Sequence, residues 1–248
     1  MTVHIIGNPI SPYVRKVFVA LLKKGVTFDF DPIVPFFGDD EFERLSPLRR
    51  IPVLVDGDLV LNDSTVIAEY INERWPEPPL MPAAIEDRAR ARWIEEYADS
   101  RIGHTIIWGL FYNRVIGPVI FKQQPDEAKI TRIVENDLPS ILDWMEGQLP
   151  ESAYLFGNKI MTADIALHSC FVNAAYSRWT VDAVRWPKVA AWLALVEADP
   201  EVALVRRWAD VMIGSKREEL RDNLAAAGAN IWEKNHGTPT PRPGVMPI

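Results

Sequence analysis

Four prolines fall within eight residues at Trp75-Pro76-Glu77-Pro78-Pro79-Leu80-Met81-Pro82. Neither a helix nor a sheet interior tolerates that density, because proline fixes φ and lacks a backbone N–H. The stretch divides the chain into two parts of different periodicity. Before it, strand-like and helix-like segments alternate. Val3 to Ile6 and Val26 to Phe30 read as strands, and Asp40 to Leu45 as a short helix. Ile51 to Leu61 reads as a hairpin turning at Asp56-Gly57. After Asn62-Asp63-Ser64, Val66, Ile67, Tyr70 and Ile71 return to helical spacing, which completes a β-α-β-α-β-β-α order. Beyond the prolines the apolar period is 3.6 throughout, in segments near 83–114, 126–148, 162–177, 187–198 and 200–213. The fold class expected is an α/β N-terminal domain followed by an all-α helical-bundle domain. The boundaries expected are a first domain over 1–75, the linker 76–82, the helical domain 83–215 and an extension 216–248. The tail from Asn235 to Gly244, rich in Pro, Gly and Thr, is expected to be extended or disordered.

The first strand-to-helix junction carries the candidate chemistry. Ser11 is a preferred N-cap residue, and Pro12 suits the first helical position, where a missing N–H costs nothing. Val14, Val17, Phe18, Leu21 and Leu22 then form one apolar stripe, and Gly25 ends the helix. A hydroxyl at the positive end of a helix favours a negatively charged ligand such as a thiolate or phosphate. The alternative is that Ser11 only caps its helix.

Composition limits what such a site belongs to. A net charge of −7 with no lysine- or arginine-dense run argues against nucleic acid or an anionic membrane as the main partner. The one cysteine, Cys170, excludes an internal disulfide framework and a CxxC site made by this chain alone, and we read it as packing. No apolar run reaches the length of a membrane span, and the opening MTVHIIGNP lacks a signal-peptide pattern. A cytoplasmic location is the expectation, with no metal site.

Three groups of residues, in order, carry a resemblance to a known family: Ser11-Pro12-Tyr13; Ser46-Pro47-Leu48-Arg49-Arg50-Ile51-Pro52-Val53-Leu54 followed by Asp63-Ser64; and Tyr154-Leu155-Phe156-Gly157-Asn158 leading to Ala163-Asp164-Ile165-Ala166, with Trp186-Pro187 and Asp199-Pro200 behind. Over roughly residues 2–213 the chain resembles a serine-type cytosolic glutathione transferase, with a thioredoxin-like domain before the helical one. The resemblance implies that glutathione arrives as cosubstrate, with no other cofactor, and that Ser11 stabilises its thiolate, with Tyr13 or a nearby backbone N–H open as a second donor. It further implies a cis Ile51–Pro52 bond whose Ile51 backbone pairs with the cysteinyl unit, Ser64 on the γ-glutamyl carboxylate and Asp63 on its ammonium. Arg50 is the candidate for the glycyl carboxylate, with Arg49 as the competing neighbour. Asp63-Ser64 also reads as a plain helix cap.

A second-substrate pocket for a small hydrophobic electrophile is expected along the first long helix of the helical domain. Arg101, His104, Trp108 and Tyr112 recur at three- and four-residue spacing and so share a face, with Phe111 beside them. The function implied is conjugation, or glutathione-dependent ether cleavage or dehalogenation, with a detoxifying role and a homodimeric assembly. Alternatives are a glutathione-dependent isomerase or thiol reductase, and a non-catalytic binding or scaffold protein. One position departs from the family pattern. Met161 stands where a Ser or Thr usually forms a capping box with the aspartate three residues on, so either Thr162 shifts the cap or Asp164 alone serves the helix start.

Overall fold

The computed structural model describes residues 2–242. Two compact units emerge, one made of 1–78 together with 200–248, the other of 79–199.

The first unit is built on a four-stranded sheet, β1 (Val3–Ile6), β2 (Phe28–Asp31), β3 (Val53–Asp56) and β4 (Leu59–Asn62), in the order β2-β1-β3-β4. β1 runs parallel to β2 and antiparallel to β3, and β3 to β4 is the expected hairpin, turning at Gly57 with φ 61°. α1 (Pro12–Lys23) crosses from β1 to β2, and Gly25, at φ 64°, stops it. α2 (Asp40–Leu45) and α3 (Ser64–Arg74) complete the thioredoxin-like order. Against this frame lies α9 (Pro200–Gly214), whose Trp208 joins Phe18 and Phe30 in one aromatic cluster, with ring centroids 6.0 and 5.7 Å away. Lys23 pairs with Glu201 at 2.7 Å beside it.

The placement of α9 differs from the boundary read at 215. Val202, Val205, Trp208, Ala209 and Met212 are buried at helical spacing, which identifies a helix with one apolar face. Periodicity does not say which core that face fills. Here it fills the core of the sheet-bearing unit.

Of the two alternatives expected for the tail, extended or disordered, the described residues take the extended one. α10 (Leu220–Ala226) leads into an extended segment that pairs with the open edge of β2. The Phe30 N–H donates to Asn230 O at 3.0 Å and the Trp232 N–H to Phe30 O at 2.9 Å. An unpaired strand edge offers a row of backbone donors and acceptors, and this segment uses them. Proline- and glycine-rich chain lacks a core of its own, but backbone pairing does not need one. Of the stretch Asn235–Gly244, Pro243 and Gly244 lie outside the described residues.

The second unit is helical. α4 (Ile85–Tyr97) continues without a break into a wider segment, Ala98–Phe121, hydrogen-bonded i→i+5. α5 (Glu127–Arg132) passes through a second wide turn, Ile133–Asp137, into α6 (Leu138–Gln148). α7 (Thr162–Tyr176) is buried on every side from Thr162 to Ala174, as expected of a helix without an amphipathic stripe, and α8 (Pro187–Glu197) packs on it. Cys170 is buried in α7. At the start of α7, Asp164 alone does the capping. Its carboxylate accepts from the Met161 N–H at 3.0 Å, the Leu155 N–H at 3.1 Å and the Trp192 indole N–H at 3.0 Å. Thr162 turns away and donates its hydroxyl to Leu80 O at 3.0 Å.

Candidate functional site

One register row fixes the geometry of the site. Asp31 lies beside Ile6, Ile6 beside Val53, and Val53 beside Asn62. The residues just past that row are Gly7 to Ser11, Ile51-Pro52 and Asp63-Ser64, so three segments far apart in sequence meet at one end of the sheet. Gly7 makes the approach close. A Cβ there would lie 2.7 Å from a Val14 methyl and 3.4 Å from Ile51 Cβ, and its φ of 154° is one that a side chain strains.

Ser11 is half-buried at the N-cap of α1, with extended backbone, and its Oγ accepts from the Val14 N–H at 3.4 Å. That is a long bond, at the outer limit for a cap. It uses the oxygen as acceptor only, which leaves the hydroxyl proton for another partner. Tyr13 is half-buried in the first turn. The loop before Ser11 is held from inside. Asn8 donates to Ile33 O at 2.6 Å and accepts from the Ile10 N–H at 3.0 Å, and the Ser11 N–H donates to Asn8 O at 3.1 Å. Arg15, only 3 % exposed, donates through Nη1 to Pro9 O at 2.7 Å and Ile10 O at 2.8 Å. Asn8 and Arg15 are residues that sequence reasoning passed over. The available signal was a charged side chain in the first turns of an apolar helix.

The two candidate arginines are placed differently. Arg49 adopts φ 50° and is buried, donating to Glu43 at 3.1 Å and to Gly38 O at 3.2 Å. Arg50, next to it, is exposed. The Ile51–Pro52 bond is cis. Ser64 is buried as the first residue of α3, whose opening N–H groups have no intrahelical acceptor. Asp63 caps that helix, taking the Thr65 N–H at 2.9 Å and the Val66 N–H at 3.2 Å on Oδ1. It does so at φ 75°, a conformation costing of order 1–3 kcal/mol for a residue with a side chain. Glycine would adopt that angle without the cost, but it has no side chain to accept those two N–H groups.

The second set of predicted residues lies on the wide segment of the other unit. The spacing rule that puts Arg101, His104, Trp108 and Tyr112 on one face belongs to an α-helix, and it does not hold through a segment bonded i→i+5. Arg101 and His104 are exposed, and Arg101 pairs with Asp137 at 3.5 Å. Trp108 and Tyr112 are half-buried, with the Tyr112 hydroxyl donating to Gln123 at 3.0 Å. Phe111 is buried, 4 % exposed, and is a packing residue where a pocket-lining one was expected. Among the described residues no cluster of His, Cys, Asp or Glu is placed to hold a metal ion, and no helix is long and apolar enough to cross a membrane.

Residues 5–79 match the model of the glutathione S-transferase N-terminal domain and residues 111–204 that of its C-terminal domain. A glutathione S-transferase 3 of Zea mays is 31% identical over 78% of this chain and 88% of its own length. The chain belongs to the cytosolic glutathione transferase superfamily. A glutathione S-transferase of Rhodospirillum rubrum superposes with a TM-score of 0.76 at 25% identity, covering 82% of this chain and 91% of that one. A stringent starvation protein A homolog of Coxiella burnetii is 29% identical over 66% of this chain and 69% of its own length. The chain is thus a glutathione transferase by family.

Proposed function

We propose that this enzyme lowers the thiol pKa of bound glutathione and directs the thiolate at a small hydrophobic electrophile, by conjugation or by glutathione-dependent ether cleavage or dehalogenation. The observation that carries the reading is Ser11: a hydroxyl at a helix N-terminus, engaged as acceptor by one long bond and free to donate. A cysteine thiol titrates near ~8.5, so holding it near ~6.5 takes about 2.7 kcal/mol of preference for the thiolate. A hydrogen bond to a charged sulfur supplies about 1.5–3 kcal/mol and a helix N-terminus about 0.5–2. The buried Arg15 guanidinium adds positive charge on the same loop. No general base is required, because the thiol proton leaves to solvent at neutral pH.

The remaining contacts follow from the width of the site. Adjacent strands lie about 4.8 Å apart, so the step from β1 across β3 to β4 is about 10 Å. An extended tripeptide is also about 10 Å long. With the cysteinyl sulfur at Ser11, Ile51 of the Ile51-Pro52 step takes the cysteinyl backbone as a strand would. The γ-glutamyl carboxylate falls at the Ser64 hydroxyl and backbone N–H, its ammonium at Asp63, and Tyr13 borders the thiol. Arg50, exposed where Arg49 is tied down, takes the glycyl carboxylate. Leu48, Leu59, Val60 and Val66 are exposed on the sheet-bearing unit and support a homodimer. A cytoplasmic, detoxifying role fits the acidic charge and glutathione chemistry.

The test is glutathione affinity and conjugation of an activated aryl halide by wild type and Ser11→Ala. Expected is turnover in the wild type and a loss of about 10- to 150-fold in the variant, the kinetic equivalent of one charge-assisted hydrogen bond. Turnover unchanged in the variant removes Ser11 from the chemistry. A second reading is glutathione binding without turnover. It predicts binding by the wild type with no conjugation.

A further inference from the structure

We infer that the C-terminal segment is a positioning element for the Ser11 loop, acting through Asp31; the inference rests on the reading of Ser11 just given. Asp31 closes β2 and is 1 % exposed. Its backbone faces the candidate site. Asp31 O accepts from the Gly7 N–H at 3.0 Å and from the Ile33 N–H at 2.8 Å, and Ile33 O accepts from Asn8, the residue whose carbonyl takes the Ser11 N–H. Its carboxylate faces the tail. Arg221 Nη1 donates to Oδ1 at 2.8 Å, while the His236 backbone N–H and ring Nδ1 reach Oδ2 at 2.7 and 2.9 Å. One buried residue therefore joins the loop that sets Ser11 to a segment about two hundred residues later in the chain.

The junction is braced on both sides. Arg221 also donates to Trp232 O and Lys234 O, which fixes the tail's own path, and Trp232 stacks on His4 of β1 with ring centroids 4.4 Å apart. Further on, the tail closes over the loop between β2 and α2. The Asp39 N–H donates to His236 O at 2.8 Å, the Thr238 N–H to Phe37 O at 2.6 Å and the Arg242 N–H to Phe36 O at 2.6 Å. Asp31 and Ile33, from which the Ser11 loop hangs, are thus clamped between tail contacts at Phe30 and at Phe36 to Asp39. A buried carboxylate is costly unless its partners satisfy it. When Arg221 and His236 are removed, Asp31 must move toward water or draw it in, and the Gly7 and Asn8 bonds shift with its backbone. The contacts proposed for the rest of glutathione, at Ile51, Asp63 and Ser64, hang from β3 and α3 and do not pass through Asp31.

The experiment uses the full chain with Arg221→Ala/His236→Ala. Its readouts are conjugation kinetics, the thiol pKa of bound glutathione, and amide hydrogen exchange at Gly7, Ile10 and Ser11. Expected are a kcat about tenfold lower, a bound thiol pKa about one unit higher, KM for glutathione within about twofold, and faster exchange at those amides. His236→Asn alone, which keeps an N–H donor near the place of Nδ1, is expected to stay near wild type in all of them. Wild-type exchange, kcat and thiol pKa in the double variant overturn the inference. So does a loss confined to KM, which would place the tail's effect on binding. If the double variant does not fold, His236→Ala takes its place with the same outcomes. If Ser11→Ala proves silent, the reading of Ser11 fails on its own, while faster exchange at Gly7 and Ile10 still decides whether the tail holds the loop.

Discussion

Asp164 and Asp63 both serve helix starts, and they do so in opposite environments. Asp164 starts α7 fully buried, with relaxed backbone around it and three N–H donors on its carboxylate. Asp63 starts α3 in the open, at φ 75°, with its Oδ1 on two backbone N–H groups of its own helix. The residue type is the same, and both serve the first turn, Asp63 from the N-cap and Asp164 from the third helical position. Burial separates the two: the Asp164 carboxylate is enclosed with its donors, while Asp63 sits at the surface with a costly backbone angle. Ser11 belongs with Asp63 on this scale, half-buried and weakly engaged as a cap.

Asp164→Ala is expected to have the largest effect, because it orphans three buried donors and leaves a cavity. Urea unfolding should register a loss of about 3–5 kcal/mol. A loss under about 1 kcal/mol would mean that the helix start is satisfied some other way.

The pH dependence of Asp164 comes next. Burial pushes its carboxyl up to about 6, with the three N–H donors pulling the other way. The unfolded value is about 3.9, so between roughly pH 4 and 6 the native state binds more proton than the unfolded chain, and this group's contribution to stability falls as pH rises. The stability advantage of wild type over Asp164→Asn should therefore shrink between pH 4 and 7, by up to about 3 kcal/mol. An advantage that grows with pH would reverse the assignment.

The smallest effect is the sharpest for the comparison. In Asp63→Gly the positive φ is relieved while the cap is lost, so unfolding free energy should change by only a few tenths of a kcal/mol. Glutathione affinity should fall about five- to tenfold, one charge-assisted contact partly compensated by solvent. Unchanged affinity would make Asp63 a cap and nothing more.

Much of this was legible in the sequence. The switch of period at the prolines located the change from sheet to helices, Ser11-Pro12 marked a helix start, and Asp56-Gly57 marked the hairpin. What escaped was set by long-range contacts. Arg49 and Arg50 are adjacent and alike, and only a backbone angle at Arg49 decides which is tied down. Trp208 sits on a recognisable apolar face, but its partners, Phe18 and Phe30, lie far back in the chain. The strand expected over Val26 to Phe30 stops one residue short of Asp31, whose carboxylate is held by Arg221 and His236 far down the chain. The apolar spacing through Ala98–Phe121 does not distinguish α from wider turns, so the shared face expected for Arg101 to Tyr112 was an α-helical inference applied to a different winding.

The most direct measurement of Ser11's role is a titration of the thiol of glutathione bound to the protein, followed by thiolate ultraviolet absorbance, in wild type and Ser11→Ala. Expected is a wild-type pKa near ~6.5 that rises by about one to two units in the variant, with glutathione still bound through Ile51, Asp63 and Ser64. A bound thiol whose pKa is the same in both proteins would contradict the assignment of Ser11 as the donor to sulfur.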